Sequence, residues 1–267
     1  MNQHVFIDNI LNGRVAFVTG GGTGITGGVA RALAEAGANV ALISRSLEHL
    51  EPAAKAINDA RANASTTGEA IAIAADVRNP EDIEKAIAAT VERFGKVDIV
   101  VNGAAGNFLS QAEALSPNGF GTVVDIDLKG TFNVCRAAFA QLKEHQGQIL
   151  NISATLHYVG TPMQLHVSAA KAGVDALTRN LAVEWGRYGI RVNGIAPGPI
   201  EDTEGMKRLV PEVIKEKLRK KVPLGRFGRI KDIETAAVFL CSDAASFING
   251  AILVVDGGQW LSATTFM

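Results

Sequence analysis

The chain has 267 residues, of which 47% are hydrophobic and 20% charged, and its formal net charge is −1. This length and composition suit one large α/β domain with a sizeable core. The near-neutral charge argues against nucleic acid or an anionic membrane as a partner, and no apolar run approaches the roughly 20 residues of a membrane span. The two cysteines, Cys135 and Cys241, lie in apolar segments, which argues for a reducing compartment and against a disulfide framework.

The two ends of the chain carry no targeting signal that we recognise. The N-terminal MNQHVFIDNILNGRV lacks the charged and then apolar pattern of a signal peptide, and the C-terminal ATTFM is not a peroxisomal signal of the SKL type. We therefore expect either a peroxisomal or a cytoplasmic location.

Seven short segments rich in apolar residues recur along the chain. Most are continuously apolar, as strands buried on both faces are. They are RVAFVTG, NVALISR, AIAIAADV, VDIVVNGA, GQILNISA, IRVNGIAPG and AILVVDGG. Helical patterns alternate with them, over Gly27–Ala36, Leu47–Asn63, Pro80–Phe94, Asn118–His145, Val167–Trp185 and Lys231–Cys241. This alternation predicts a single-domain, Rossmann-like, doubly wound α/β fold of about seven parallel strands with helices on both faces.

One long segment does not fit the alternation. Residues 197–224 begin within APGPIEDTEG and then become charged and helical. A long excursion after the carboxyl end of a strand is where such folds place their binding loops. Because no linker or internal repeat divides the rest, we predict one dinucleotide-binding domain over residues 1–267, with a substrate loop at about 197–224.

A glycine-rich turn, TGGGTGITGG, joins the first predicted strand to the first helix. Glycines there let the backbone approach a phosphate, and the helix N-terminus offers free N–H groups and a positive dipole end. Gly22, Gly24 and Gly27 match G-x-G-x-x-G, whereas Gly20 and Gly24 fit a wider T-G-x-x-x-G-x-G pattern, so the register stays open. The strand–turn–helix context predicts a dinucleotide site, with contacts from Gly20, Gly22, Thr23, Gly24 and Ile25.

The end of the second predicted strand favours NADP(H) as the cofactor. An acidic residue there would bind the ribose 2′-hydroxyl of NAD, but this chain has Arg45 between Ser44 and Ser46. An arginine suits the 2′-phosphate of NADP through charge-assisted hydrogen bonds; the alternative is a solvated arginine at a helix start. Asp76, after the third strand, either accepts a hydrogen bond from the adenine amino group or caps the helix that begins near Pro80.

These features together resemble the short-chain dehydrogenase/reductase family. The resemblance covers almost the whole chain and rests on TGGGTGI, DV at 76–77, NGAAG, NISA at 151–154, Lys171, RVNGIAPGPI and VDGG at 255–258. It implies further cofactor contacts from Ser46, Val77, Ala104, Lys171, Pro197, Gly198 and Ile200. It also implies a homotetramer or homodimer in which the long helices pack across two-fold axes.

The chain departs from the family pattern in its catalytic motif and in its phosphate turn. The usual Tyr-x-x-x-Lys motif keeps its lysine as Lys171, but Val167 occupies the tyrosine position and Ala154 the position of the usual serine. Thr26 replaces the last glycine of the turn. Because carbonyl reduction needs a proton donor, either the protein is a non-catalytic scaffold or its proton comes from another group. Without a functional partner, Lys171 would form only a weak surface pair with Asp175.

Longer strings resemble the peroxisomal type of 2,4-dienoyl-CoA reductase, a group that also lacks the tyrosine. They are AAGNFLS, DIDLKGTFNV, ISATL, HVSAAKAGVDALTRNLAVEWG and APGPIEDTEG. The resemblance implies NADPH-dependent reduction of 2,4-dienoyl-CoA to trans-3-enoyl-CoA in the β-oxidation of unsaturated fatty acids. The alternatives are a short-chain reductase for another enoyl or acyl thioester, and the non-catalytic NADP-binding scaffold.

The resemblance also assigns catalytic roles to individual residues. The family's usual asparagine in the central helix is here Asp127, which would protonate the carbon next to the thioester through an ordered water; alternatively it is a solvated helix residue. Lys171 would hold the nicotinamide ribose. Asn107 would donate to the thioester oxygen, or would merely bond its own turn. Tyr158 would either replace the missing phenol or form an aromatic wall.

An acyl-CoA substrate needs contacts to its phosphates. The resemblance places substrate contacts on Arg78, Phe108, Ser116, Pro117, Asn118 and Arg208. The charged residues among them are otherwise plain solvated side chains. No metal-ligand spacing joins the histidines of the chain, so we predict no metal site.

Overall fold

The computed structural model describes residues 9–63, 68–203, 205–206 and 212–262. Its strands are β1 Val15–Thr19, β2 Asn39–Ser44, β3 Ala70–Ala74, β4 Ile99–Asn102, β5 Gln148–Ile152, β6 Arg191–Pro197 and β7 Ile252–Val255. They form one parallel sheet in the order β3-β2-β1-β4-β5-β6-β7. Each strand lies within one of the seven predicted segments, so the predicted doubly wound parallel sheet is confirmed.

Each of the six predicted helical ranges contains helix in the structure, with two main differences in extent, and further short helices lie outside those ranges. The helices are α1 Gly24–Glu35, α2 Leu47–Asn63, α3 Pro80–Phe94, α4 Pro117–Val124, α5 Gly130–His145, α6 Leu165–Gly186, α7 Glu212–Arg219, α8 Ile230–Leu240 and α9 Gln259–Ser262. The first difference is that α1 begins three residues before the predicted start at Gly27. The glycine-rich turn already closes into the helix, because the Gly27 N–H donates to the Thr23 carbonyl at 2.9 Å.

The second difference concerns the long helix predicted over Asn118–His145. One π-helical turn, Asp125–Lys129, separates α4 from α5. A π-helical turn is rare and occurs often at functional sites. Within this turn the Asp127 side chain is fully buried, whereas Asp125 remains at the surface and pairs with Lys129 at 2.6 Å.

Apolar side chains pack against both faces of the sheet. On β1, Val18 belongs to the core under one face and Phe17 to the core under the other. The first core is shared with α1, α2 and α8, and the second with α3, α5 and α6. Burial on both faces explains why the strands read as continuous apolar runs.

The direction of the connections reverses once across the sheet. β2 and β3 lie on one side of β1, and β4 to β7 lie on the other. The loops that follow β1 and β4 therefore diverge and leave a crevice at the carboxyl edge of the sheet, which is where open α/β sheets bind their ligands. The region predicted as a substrate loop follows β6 at this edge, and an isolated bridge between Ile200 and Gly228 closes its base.

The packing of α1 against α8 depends on a glycine. A Cβ at Gly28 would lie 2.1 Å from Ile230 Cγ2 and 2.8 Å from Glu234 Oε1, whereas a Cβ at Gly121 in α4 would meet nothing within 4 Å. We expect Gly28→Ala to lower the free energy of unfolding by about 1–2 kcal/mol, since overpacking outweighs the gain in helix propensity. Gly121→Ala, the matched control, should raise it by roughly 0.5–1 kcal/mol. Denaturant unfolding without cofactor measures both, and equal effects of the two substitutions would contradict the packing argument.

Candidate active site

A cleft of about 560 Å³ opens at the carboxyl edge of the sheet. The end of β5, the segment after β6 and the loop that leads into α6 supply most of its lining. Among the predicted site residues, its walls include Ile25, Asn107, Pro197, Gly198 and Ile200. The cleft therefore joins the predicted nucleotide turn to the region where the resemblance places the substrate.

The glycine-rich turn has the geometry that a pyrophosphate requires. Gly20 and Gly24 have φ values of +70° and +59°, which side chains with a Cβ rarely adopt. A Cβ at Gly20 would lie 2.8 Å from the Gly103 carbonyl oxygen, whereas Gly24 faces open space. No acidic residue lies in the first turn of α1, so an anion meets only N–H groups and the positive dipole end there.

Thr26, which replaces the last glycine of the family's turn, stabilises the turn. Its Oγ1 donates a hydrogen bond to the Gly20 carbonyl at 2.7 Å. The space for its methyl group exists because residue 103 is glycine: a Cβ at Gly103 would lie 1.9 Å from Thr26 Cγ2. The replacement of the family's glycine by Thr26 is thus compatible with phosphate binding.

Two arginines lie beside the carboxyl ends of β2 and β3. Arg45 is exposed, and Arg78 forms an ion pair with Asp76, whose carboxylate also accepts a hydrogen bond from the Arg78 backbone N–H at 3.0 Å. The hydrogen bond from the Arg78 side chain holds the pKa of Asp76 below its ordinary value of 3.8. Asn79 caps α3, because its side chain accepts a hydrogen bond from Glu81 N at 3.1 Å. The alternative of Asp76 as the helix cap is therefore wrong.

Asp127 and Lys171 form a buried ion pair beneath the cleft. Lys171 is 6% exposed and Asp127 is 0% exposed, and Lys171 Nζ lies 3.2 Å from Asp127 Oδ2. Lys171 also donates to the Ile152 carbonyl at 2.9 Å, and Asp127 Oδ1 accepts from Gly106 N at 2.8 Å. Within the described residues Oδ2 accepts no hydrogen bond of good geometry, so this oxygen keeps lone pairs for a bound group. The alternative of Asp127 as a solvated helix residue is wrong.

Asp175 does not pair with Lys171, which rules out the surface-pair interpretation. It is 1% exposed and accepts hydrogen bonds from Ser153 Oγ and, at 3.0 Å, from the Tyr158 hydroxyl, and His157 Nε2 lies 2.9 Å from its Oδ2. Burial, followed by the charge of Asp175, raises the pKa of the Tyr158 phenol far above its ordinary value of 10.0. The phenol therefore stays protonated and bound to Asp175, and Tyr158 is a poor replacement for the missing catalytic tyrosine.

Three of the predicted site residues, Asn107, Phe108 and Ser116, lie between β4 and α4. Asn107 donates to Gln164 Oε1 at 2.9 Å, across to the loop that leads into α6. The Phe108 ring is 38% exposed and stacks on the buried ring of His166 with a centroid distance of 4.3 Å. Ser116 caps α4 through a hydrogen bond from Gly119 N at 3.0 Å.

The remaining predicted residues that the structure describes do not line the cleft. Pro117 and Asn118 form the first turn of α4, and Ser46 Oγ accepts from Glu48 N at 3.2 Å. Val77 packs against Gly130, where a Cβ would lie 2.6 Å from Val77 Cγ2. The exposed Thr23 is the N-cap residue of α1, and Ala104 N donates to Thr19 Oγ1 at 3.2 Å. Arg208 lies outside the described residues.

Sequence reasoning missed three residues of the site. Gln164 and Ser153 line the cleft, and only Ser153 had a signal, since it belongs to the string NISA. Trp260 also lines the cleft, and no pattern in the sequence around it indicates this. In the described residues, no cluster of His, Cys, Asp or Glu is placed to hold a metal ion, and no helix is long and apolar enough to cross a membrane.

A phosphate turn at the N-terminus of a helix, joined by a cleft to a buried carboxylate–lysine pair, defines a dinucleotide-dependent oxidoreductase. A family model described as Enoyl-(Acyl carrier protein) reductase matches residues 20–259. The chain belongs to the short-chain dehydrogenase/reductase family.

Curated relatives and solved structures cover nearly the whole chain. The peroxisomal 2,4-dienoyl-CoA reductase ((3E)-enoyl-CoA-producing) of Arabidopsis thaliana is 49% identical over 267 residues, which cover 96% of this chain and 88% of that protein. The Saccharomyces cerevisiae protein of the same description is 50% identical over 259 residues, covering 97% and 88%. A gluconate 5-dehydrogenase from Burkholderia cenocepacia, in complex with NADP and tartrate, has a TM-score of 0.85 and 33% identity, covering 94% of this chain and 97% of that one.

The hydrogen bond between Tyr158 and Asp175 should give the fold a specific alkaline sensitivity. The pKa of Tyr158 is raised in the folded state. Its hydrogen bond therefore contributes fully to the free energy of unfolding at pH values below the ordinary tyrosine pKa, and the contribution declines as the pH rises above about 10. At pH 8 we expect wild type to exceed Tyr158→Phe in free energy of unfolding by about 1 kcal/mol. Unfolding curves of both proteins between about pH 8 and 11 should show this difference shrinking. A difference that stays constant across the range would contradict the assignment.

Proposed function

We propose that this chain reduces 2,4-dienoyl-CoA to trans-3-enoyl-CoA with NADPH. The observation that carries the proposal is the buried pair of Asp127 and Lys171 in a chain whose tyrosine position holds Val167. A non-catalytic scaffold has no need to bury a carboxylate and an ammonium group beneath its cleft, because burial costs free energy. The curated relatives described above support the choice of substrate.

The residues of the nucleotide turn fit a bound NADP. The backbone of Gly20 to Ile25 would hold the pyrophosphate, and Arg45 the 2′-phosphate. Lys171 would bind the nicotinamide ribose, and Pro197, Gly198 and Ile200 would line the nicotinamide side of the cleft. Bound NADPH supplies a hydride, which adds to the far carbon of the conjugated diene.

The protein has to stabilise the charge and deliver the proton. As the hydride adds, negative charge collects on the thioester oxygen as a dienolate. Asn107, which lines the cleft, would donate a hydrogen bond to this oxygen. The ammonium group of Lys171 releases a proton that the Asp127 carboxylate relays, by way of a water, to the carbon next to the thioester. Solvent then restores the proton of Lys171. The double bond then lies between the third and fourth carbons, as in the trans-3-enoyl product.

The CoA part of the substrate is assigned to protein groups that match its charge and polarity. The CoA phosphates would contact Arg78 and Arg208, while Phe108 and the first turn of α4 would hold the part of CoA next to the thioester.

A peroxisomal location is part of the proposal, supported by the descriptions of the relatives. So is a homodimer or homotetramer, supported by the exposed Phe132 and Val183 on the two long helices.

Asp127→Asn tests the proton donor, and Asp125→Asn is the matched control. Both substitutions remove a carboxylate from the same π-helical turn, but Asp125 faces solvent and pairs only with Lys129 among the described residues. We expect Asp127→Asn to lower kcat with a 2,4-dienoyl-CoA at least roughly 100-fold while NADPH binding persists, because the amide cannot transfer the proton. Asp125→Asn should keep kcat within roughly two-fold, since exposed ion pairs contribute little.

NADPH absorbance gives the rate, and product analysis gives the position of the remaining double bond. Full turnover by Asp127→Asn would move the proton to another group. Absence of turnover by wild type with bound NADPH would overturn the proposed function.

Arg45→Ala tests the choice of cofactor. We expect KM for NADPH to rise roughly 10–100-fold, because a hydrogen-bonded charge partner of the 2′-phosphate is lost, while KM for NADH changes little. Arg61→Ala, at the far end of α2 where Arg61 pairs with Glu69 at 3.2 Å, is the control and should leave both constants unchanged. Equal effects of Arg45→Ala on the two cofactors would contradict the role of Arg45.

A further inference from the structure

We propose that Trp260 is the end wall of the acyl-chain site and limits the length of chain that the cleft binds; this inference rests on the proposed function. Besides the residues assigned to the nicotinamide side, the lining of the cleft includes a group of apolar residues, which we call the apolar end. They are Leu156, Val159, Pro162, Met206, Leu218 and Trp260. Among the described lining residues, Lys221 alone carries a charge.

The polarity of the surroundings decides which part of the substrate enters this end. The groups that suit CoA, Arg78 and the first turn of α4, lie on the β3 and β4 side and do not line the cleft. Asn107 lines the cleft and donates a hydrogen bond to Gln164, on the loop that leads into α6. We propose above that Asn107 binds the thioester. A substrate with its CoA on the first side and its thioester at Asn107 therefore extends its hydrocarbon tail into the apolar end, where burial of methylene groups is favourable.

The backbone of Trp260 is fixed by a buried carboxylate. Asp256 is 8% exposed, and its two oxygens accept hydrogen bonds from Gly258 N and Trp260 N, each at 2.8 Å. Gly258 has a φ of +84°, and a Cβ there would lie 3.3 Å from Pro223 Cγ. The turn that places Trp260 is therefore held by specific hydrogen bonds and close packing.

The indole ring packs against Tyr158, which belongs to a group of side chains around Asp175. We call Ser153, His157, Tyr158 and Asp175 the Asp175 cluster. Tyr158 meets it edge-on at a centroid distance of 5.6 Å and an angle of 66°. The hydroxyl of Tyr158 bonds to Asp175 at 3.0 Å, and His157 packs edge-on against Tyr158 at 4.4 Å. Neither His157 nor Tyr158 lines the cleft. These two rings therefore lie in a layer outside the lining, and they keep the indole ring from moving away from the cleft.

A rigid end wall has a measurable effect on chain-length preference. Each methylene that finds room in the cleft strengthens binding roughly four-fold, whereas methylenes beyond the wall gain nothing or clash. The ratio of kcat/KM for a long to a short 2,4-dienoyl-CoA therefore reports the position of the wall. Removal of the indole should shift this ratio toward the longer chain.

The experiment measures kcat/KM with NADPH for a series from hexa-2,4-dienoyl-CoA to hexadeca-2,4-dienoyl-CoA. We expect Trp260→Ala to raise the long-to-short ratio roughly ten-fold or more, the room of about two methylenes. Trp260→Phe should give a smaller increase. Leu261→Ala, on the same short helix but with its side chain 65% exposed, is the matched control and should leave the ratio at its wild-type value.

The possible outcomes separate this inference from the proposed function. An unchanged ratio in Trp260→Ala, with the melting temperature and NADPH binding of wild type, overturns the end wall while the reductase activity stands. If Trp260→Ala does not fold, Trp260→Phe decides, because an unchanged ratio there also overturns the inference. An increased ratio in Leu261→Ala overturns it as well, since the effect would then belong to the whole helix. Failure of wild type to reduce any member of the series overturns the proposed function itself.

Discussion

The site is organised by one buried ion pair whose desolvation has to be offset. Removing a carboxylate and an ammonium group from water costs several kcal/mol per ion, and their attraction repays this only when other hydrogen bonds satisfy the remaining atoms. Asp127 receives the N–H of Gly106, and Lys171 donates to the carbonyl of Ile152. The π-helical turn, the loop after β4, the end of β5 and α6 must therefore keep their relative positions.

A second buried carboxylate, Asp175, has different surroundings and a different task. Its contacts come from the hydroxyls of Ser153 and Tyr158 and from the His157 ring, none of which carries a permanent positive charge. Asp175 lies one turn after Lys171 on α6, so a single helix carries both the lysine of the buried ion pair and the carboxylate that holds the neighbouring loop. Among the described residues, one oxygen of the first carboxylate accepts no hydrogen bond, while both oxygens of the second accept from side chains of the neighbouring loop.

Much of this arrangement follows from the sequence, for reasons of period and composition. The seven strands could be predicted because both faces of the sheet are buried, which makes each strand a continuous apolar run. The nucleotide turn could be predicted because glycine has few substitutes where φ is positive. The π-helical turn is not readable, since the helical period continues through DIDLK and no residue type marks the insertion. Gln164 and Trp260 are invisible for another reason. Their roles arise from contacts with Asn107 and Tyr158, more than 50 and 100 positions away in the chain, and no local pattern encodes such contacts.

The contact between Thr26 and Gly103 couples two positions that lie far apart in the sequence. A methyl group on residue 103 and the methyl group of Thr26 cannot occupy the same space, so neither position is free to vary without regard to the other. With glycine at position 26, a larger residue at 103 would meet no methyl group there, whereas Thr26 confines position 103 to glycine. Replacing Thr26 would also remove the hydroxyl bond to the Gly20 carbonyl, so a larger residue at 103 would come at the cost of a bond that holds the turn.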